Sequence, residues 1–256
     1  MFTSGTTGLP KAIAHSHAGL TTFIAQYAFA AKHGCGHVQL PAREVFLCML
    51  PLYHISGVTA LYALTAGGEI VLMNGFDMKK FLGLIRSYGV TRTTVPQTVL
   101  TWMTKTDLLQ DYDLSSLVEV AYGGSPIGHQ AVCDITKRLS CALTQAYGST
   151  EVAIVSTLTG VDHLVDPATG DLRAYSVGKP LIGVDIRILG DSDEPLPAGA
   201  SGEIWVMSPG AMEAKRNAWV ATGDMGHFDE NGFLYIDGRK DDLIISGGEN
   251  VYPAEI

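Results

Sequence analysis

From Glu44 to Ala146 short apolar runs alternate with amphipathic stretches, and this alternation constrains the fold more than any other feature of the chain. Glu44-Val-Phe-Leu-Cys-Met-Leu50 is a continuous apolar run stopped by Pro51, the pattern of a strand buried on both faces. A helix over about Ser56–Leu64 and a strand over Glu69–Met73 follow. Asp77 is placed to cap the next helix, whose Phe81, Leu84, Ile85 and Tyr88 fall at helical spacing before Gly89 ends it. Val90–Val95 is a β-branched strand stopped by Pro96, a helix lies near Val99–Lys105, and Leu117–Tyr122 is a further strand. Ser125 then caps a helix with Pro126 at its first position, and Ile127, Val132, Ile135 and Leu139 form the buried stripe. Ala142–Ala146 is the next strand; upstream, Lys11–His15 reads as a strand and Ala18–Lys32 as a helix ended by Gly34. The fold class is α/β, a mostly parallel sheet flanked by helices. Beyond residue 150 helices drop out. Tyr175–Ile188, Gly202–Met207, Trp219–Phe228 and Phe233–Ile236 read as strands joined by Gly/Pro/Asp turns, a smaller antiparallel β subdomain.

Phe2-Thr-Ser-Gly-Thr-Thr-Gly-Leu-Pro-Lys11 carries two glycines, four hydroxyls and one lysine. Glycines let backbone N–H groups turn inward, and lysine supplies a point charge, so the stretch suits a loop around a highly charged anion. It is not a Walker A loop, because Pro10 precedes Lys11 and Ala12 follows it. Composition alone leaves a solvated turn open as the other reading.

With 256 residues, 46% hydrophobic and 17% charged, the chain has the balance of a globular protein able to bury a sizeable core. Its formal net charge of -9 and lack of a Lys/Arg block argue against a nucleic-acid or anionic-membrane surface. Any polyphosphate site must therefore be built locally, against the overall field. Cys35, Cys48, Cys133 and Cys141 are scattered without C-x-x-C spacing, as in reduced cysteines of a cytoplasmic protein. His15 and His17 alternate on one side of the expected strand and read as solvent-facing. No apolar run has transmembrane length. Residues 18–31 follow a polar glycine loop rather than a short basic start, which excludes a signal peptide.

Thr3-Ser-Gly-Thr-Thr-Gly-Leu-Pro-Lys11 resembles the signature loop of the adenylate-forming enzymes, the superfamily of acyl-CoA synthetases, luciferases and nonribosomal peptide adenylation domains, with Ala12 where glycine is usual. Pro51-Leu-Tyr-His-Ile-Ser-Gly57 is similar to its P-L-x-H-x-x-G segment, Gly123-Gly-Ser-Pro126 to its G-G-A-P turn and Tyr147-Gly-Ser-Thr-Glu151 to its Y-G-x-T-E. Thr222-Gly-Asp224 matches the T-G-D, and residues 238–256 the hinge segment. Ile244-Ile-Ser-Gly-Gly-Glu-Asn-Val-Tyr-Pro253 looks most like the acyl-CoA synthetase branch.

The resemblance implies activation of a small-molecule carboxylic acid as an acyl-adenylate, using ATP and Mg²⁺, then transfer to coenzyme A. Loading of a carrier protein, or nucleotide binding without turnover, are the alternatives. It implies a phosphate cradle from Thr3, Ser4, Gly5, Thr6, Thr7, Gly8 and Lys11, with Thr150 on phosphate and Glu151 on the metal. Tyr147 would stack on adenine, lined by Gly123, Gly124, Ser125, Gly148 and Ser149. Asp224 and Arg239 would hold the ribose, His54 would gate the acyl pocket, and Asp241 would be the hinge. Lys240 reads as a solvated charge. The parts expected are residues 1–160 for ATP and acyl binding, 161–238 as the β-rich subdomain, and 239–256 as the hinge and start of a C-terminal domain. By the same comparison this chain holds about half of a full-length member, without the C-terminal lysine that bridges carboxylate and α-phosphate. The Met212–Trp219 connection is shorter than usual.

Overall fold

The computed structural model describes residues 1–4, 10–33, 41–124, 127–160, 162–163, 173–242, 244–246 and 249–251. Strands β1 (Phe2–Ser4) and β2 (Pro10–Ala12) form an antiparallel hairpin with Thr3 opposite Lys11. β2 thus ends before the expected strand did, and His15 sits between it and helix α1 (His17–His33). β3 (Val45–Cys48) is buried throughout: Val45 and Leu47 face one core, Phe46 and Cys48 another. The single helix expected near Ser56–Leu64 is instead two, α2 (Ile55–Val58) and α3 (Leu61–Thr65). Ala60, Tyr62 and Ala63 donate to carbonyls three residues back, and this tighter winding separates the two turns.

β4 (Glu69–Leu72) leads to α4 (Met78–Tyr88), where the Asp77 side chain accepts from Lys80 N at 2.8 Å and Gly89 closes the helix in the left-handed conformation. Phe81, Leu82 and Ile85 are its buried residues, while Tyr88 is exposed, contrary to the expected stripe. β5 (Arg92–Pro96), α5 (Gln97–Lys105) and β6 (Glu119–Gly123) follow. α6 (His129–Arg138) starts later than expected, with extended Gly128 at its N-cap and no side-chain cap. Pro126 is therefore not its first residue, and Ser125 and Pro126 lie outside the described residues. The stripe Ile127, Val132, Ile135 and Leu139 is buried as predicted.

β7 (Ala142–Ser149) turns directly into β8 (Ala153–Leu158), a wholly buried strand that the sequence pattern did not reveal. The strand expected over Tyr175–Ile188 divides into β9 (Ser176–Pro180) and β10 (Asp185–Leu189) at a turn with Gly183 at φ 76°. β11 (Gly202–Met207), β12 (Val220–Phe228) and β13 (Leu234–Arg239) follow, then a small hairpin of β14 (Ile244–Ser246) and β15 (Glu249–Val251).

Eleven strands form one sheet in the order β10-β11-β12-β13-β9-β8-β7-β6-β5-β3-β4. From β4 to β7 all pairs are parallel; from β7 to β10 all are antiparallel. One core packs α4, α5 and α6 residues (Phe81, Ile85, Leu100, Ile135) on Val95, Val120 and Leu143; a second packs α1 (Phe23, Tyr27) on Val155, Ile204, Val206 and Leu234, apart from the small cluster of Phe46 and Cys48 with Ala60 and Ala63.

At the N-terminal ends of β3, β5 and β6 a charged cluster is buried. Arg92 is 1% exposed; its Nε meets Glu44 Oε1 at 3.1 Å, Nη1 pairs with Glu119 and Nη2 donates to the Ala31 carbonyl at 3.2 Å. Tyr62 and Thr91 hydroxyls also donate to Glu44, at 3.2 and 2.9 Å, so the desolvated Glu44 carboxylate keeps several donors. Burial, then the Glu44 charge, push the Tyr62 hydroxyl up to about 12.

Candidate nucleotide site

Parallel strands present all their C-terminal ends at one edge, where backbone groups and loops are free to meet a ligand. There β6 ends in Gly123-Gly124 and β7 in Tyr147-Gly148-Ser149. A Cβ on Gly123 would overlap the Ala146 carbonyl oxygen, and one on Gly148 the Ala153 carbonyl oxygen. These glycines let β6, β7 and β8 close up behind the turn; Gly124 has φ 89°, open to glycine at little cost.

The β7 end meets β12 and β13 through one carboxylate. The Tyr147 hydroxyl donates to Asp224 Oδ2 at 2.7 Å, and Arg239 Nε lies 2.9 Å from Oδ1. Asp224 stands opposite Arg239 in the ladder, and its own N–H donates to Thr222 Oγ1 at 3.1 Å. Asp224 is buried while Arg239 reaches it from solvent. Burial raises the Asp224 carboxyl despite the opposing pull of Tyr147 and Arg239; burial and then Asp224 raise the Tyr147 hydroxyl. The result is a carboxylate and an aromatic ring held side by side at the sheet edge, suited to a sugar diol and a flat base.

The second group gathers at the β7–β8 turn. Ser149 Oγ accepts from Glu151 N at 3.2 Å, and His15 Nε2 donates to the Thr150 carbonyl at 2.8 Å. His15 is therefore half-buried and bonded, not the solvent-facing strand residue expected. The hairpin places Thr3 and Ser4 on β1 and exposed Lys11 on β2; Gly5, Thr6, Thr7 and Gly8 lie outside the described residues. His54 follows the C-terminal end of β3 at the same sheet edge, where its carbonyl accepts from Gly57 and Val58 at the start of α2. Asp241 lies exposed in the turn Lys240–Asp242 after β13, and Lys240 is ion-paired with Glu203 at 2.7 Å rather than merely solvated.

No cluster of three or more metal-ligating side chains occurs among the described residues. Glu151, next to Thr150 in the β7–β8 turn, offers one carboxylate, a donor set that fits a Mg²⁺ taking its remaining ligands from phosphate oxygens and water. Cys48, Cys133 and Cys141 form no disulfide among the described residues, and no described helix is long and apolar enough to cross a membrane.

A mixed α/β sheet thus carries glycine turns, a tyrosine and a buried aspartate at the parallel strands' C-terminal edge. The chain belongs to the AMP-binding enzyme family, which it matches over residues 1–214. It is 35% identical to the indoleacetate–CoA ligase of Aromatoleum aromaticum and 35% identical to the 2-succinylbenzoate–CoA ligase of Bacillus licheniformis, covering 100% of this chain and 50% and 52% of those proteins. Among solved structures it is similar to the amide bond synthetase McbA from Marinactinospora thermotolerans (TM-score 0.85, 35% identity, 99% of this chain, 50% of that one). It is also similar to the O-succinylbenzoate coenzyme A synthetase MenE from Bacillus subtilis in complex with ATP and magnesium ion (TM-score 0.83, 31% identity, 100% and 53%). The chain spans about half the length of the curated relatives it matches.

Proposed function

We propose that this chain supplies the MgATP and acid-binding part of an ATP-dependent acid–thiol ligase, acting on a small carboxylic acid in the cytoplasm. The observation that carries the reading is Asp224, buried between Tyr147 and Arg239 at the sheet edge of a member of the AMP-binding family. In this reading Asp224 and Arg239 hold the ribose hydroxyls and Tyr147 stacks on adenine. Backbone groups of Gly123, Gly124, Ser125, Gly148 and Ser149 line the base. Thr3, Ser4, Gly5, Thr6, Thr7, Gly8 and Lys11 cradle the β- and γ-phosphates, with Thr150 beside them. Glu151 holds Mg²⁺, whose charge, when bound, offsets that of the phosphates. His54 gates the acyl pocket. Residues 1–160 carry the ATP and acid site, 161–238 the β-rich wall, and 239–256 the hinge segment around Asp241.

In the first step a substrate carboxylate oxygen bonds to the α-phosphorus while the α–β anhydride bond breaks and pyrophosphate leaves. In the second the thiol of coenzyme A loses its proton, its sulfur bonds to the acyl carbon, and the acyl–oxygen bond breaks as AMP leaves. Positioning of the reactants and stabilisation of charge are what these residues contribute. Coenzyme A is assigned as acceptor because two of the relatives above are named CoA ligases.

Carboxylate-dependent exchange of labelled pyrophosphate into ATP, run without coenzyme A across aliphatic and aryl acids, tests the reading. Exchange with one class of acid is the expected result. Neither MgATP binding nor exchange with any acid would contradict it, and MgATP binding without exchange would favour the second reading, a nucleotide-binding unit without turnover.

A further inference from the structure

Three stretches distant in sequence close a ring beside the candidate phosphate site. His15 Nε2 donates to the Thr150 carbonyl at 2.8 Å, Met212 N to the Glu151 carbonyl at 2.7 Å, and Glu213 N to the Ala14 carbonyl at 2.9 Å. The ring is seated on the fold: Ala211 is fully buried, and its carbonyl oxygen lies 3.4 Å from where a Gly19 Cβ would stand on α1. The short Met212–Trp219 connection thus begins as a strap across the β7–β8 turn.

Two of these bonds join backbone to backbone and form with any side chains. The third depends on one imidazole. Because a carbonyl only accepts, Nε2 carries the proton, and Nδ1 is buried with no hydrogen-bond partner among the described residues. Burying an unpaired ring nitrogen carries a cost that an apolar side chain would avoid. The ring is accordingly explained by its one bond, to the backbone of Thr150.

We propose that His15 is a positioning residue for the phosphate and metal end of the site. Its imidazole fixes the Thr150–Glu151 peptide, and with it the direction of the Glu151 carboxylate, relative to the hairpin that carries Lys11. The inference rests on the roles given to Thr150 and Glu151 above. It makes the hairpin and the turn a single unit: His15 follows β2 after two intervening residues, so a shift of Lys11 toward phosphate is transmitted to the turn.

The test is equilibrium titration of the whole chain with MgATP and, separately, with AMP, which lacks the β- and γ-phosphates. The variants are His15→Ala, His15→Leu, His15→Gln and Glu151→Ala, each with its thermal midpoint. His15→Leu keeps packing volume while removing the donor, so the test does not depend on the alanine variant folding. His15→Leu and His15→Ala should weaken MgATP about three- to tenfold, the span of one hydrogen bond's net contribution, with AMP affinity unchanged. His15→Gln, whose amide N–H can reach the carbonyl, should recover most of the loss. Unchanged MgATP affinity in His15→Leu while Glu151→Ala weakens it would overturn the inference alone, as would equal losses for MgATP and AMP. If Glu151→Ala leaves MgATP affinity unchanged, the site reading fails and the inference with it.

Discussion

Asp224 concentrates the electrostatics of the site in one side chain. Its carboxyl is raised in the folded state, chiefly by burial. Ionisation therefore costs stability as pH rises past the unfolded carboxylate value, and the cost is complete above the folded value. Asparagine carries no such cost. The stability of Asp224→Asn relative to the parent should rise from acid pH toward neutrality, followed by urea titration at several pH values; a difference independent of pH would contradict the assignment. Residues in motifs were legible at this scale. Tyr147 and Asp224 were recognised by pattern, although 77 positions apart, and the structure joins them directly. His15 was not legible, because period-2 alternation was extended past Ala12, where β2 stops. Its partner is a backbone carbonyl 135 residues away, and no side-chain pattern marks such an acceptor.

At the scale of elements, the ends of β3, β5 and β6 are tied by Arg92 between Glu44 and Glu119. Removing one partner of a buried ion cluster leaves uncompensated charge, here two carboxylates. Arg92→Met should lower unfolding free energy by about 3–5 kcal/mol, read from denaturant midpoints at constant slope. A midpoint within error of the parent would show that the cluster is not desolvated as described. None of the three residues stood out beforehand, since each reads singly as an ordinary surface charge at a strand start. α4 was legible because local chemistry marks both ends, the Asp77 cap and the Gly89 stop. β8 was hidden because buried Ser156 and Thr157 interrupt its apolar run, so it shows neither a continuous apolar stretch nor the alternation of a half-exposed strand. The α2–α3 break was hidden because it lies in hydrogen-bond spacing rather than in residue type.

For the whole molecule, the sheet changes from parallel to antiparallel at β7–β8, and the candidate site lies at that change. The parallel strands supply the Gly123 and Tyr147 ends, and the antiparallel strands bring Asp224 and Arg239 across to them. The loss of helices after residue 150 made the change of class legible. The sequence did not show that β9 would pair with both β8 and β13, since strand order depends on long-range contacts. In the proposed function this edge binds MgATP, with Glu151 on the metal. The measurement that tests it most directly is calorimetric titration of ATP, with and without Mg²⁺, into the parent chain and Glu151→Ala. The parent should bind ATP more tightly with Mg²⁺ than without it, and Glu151→Ala should lose most of that tightening. Identical titrations of parent and variant would contradict it.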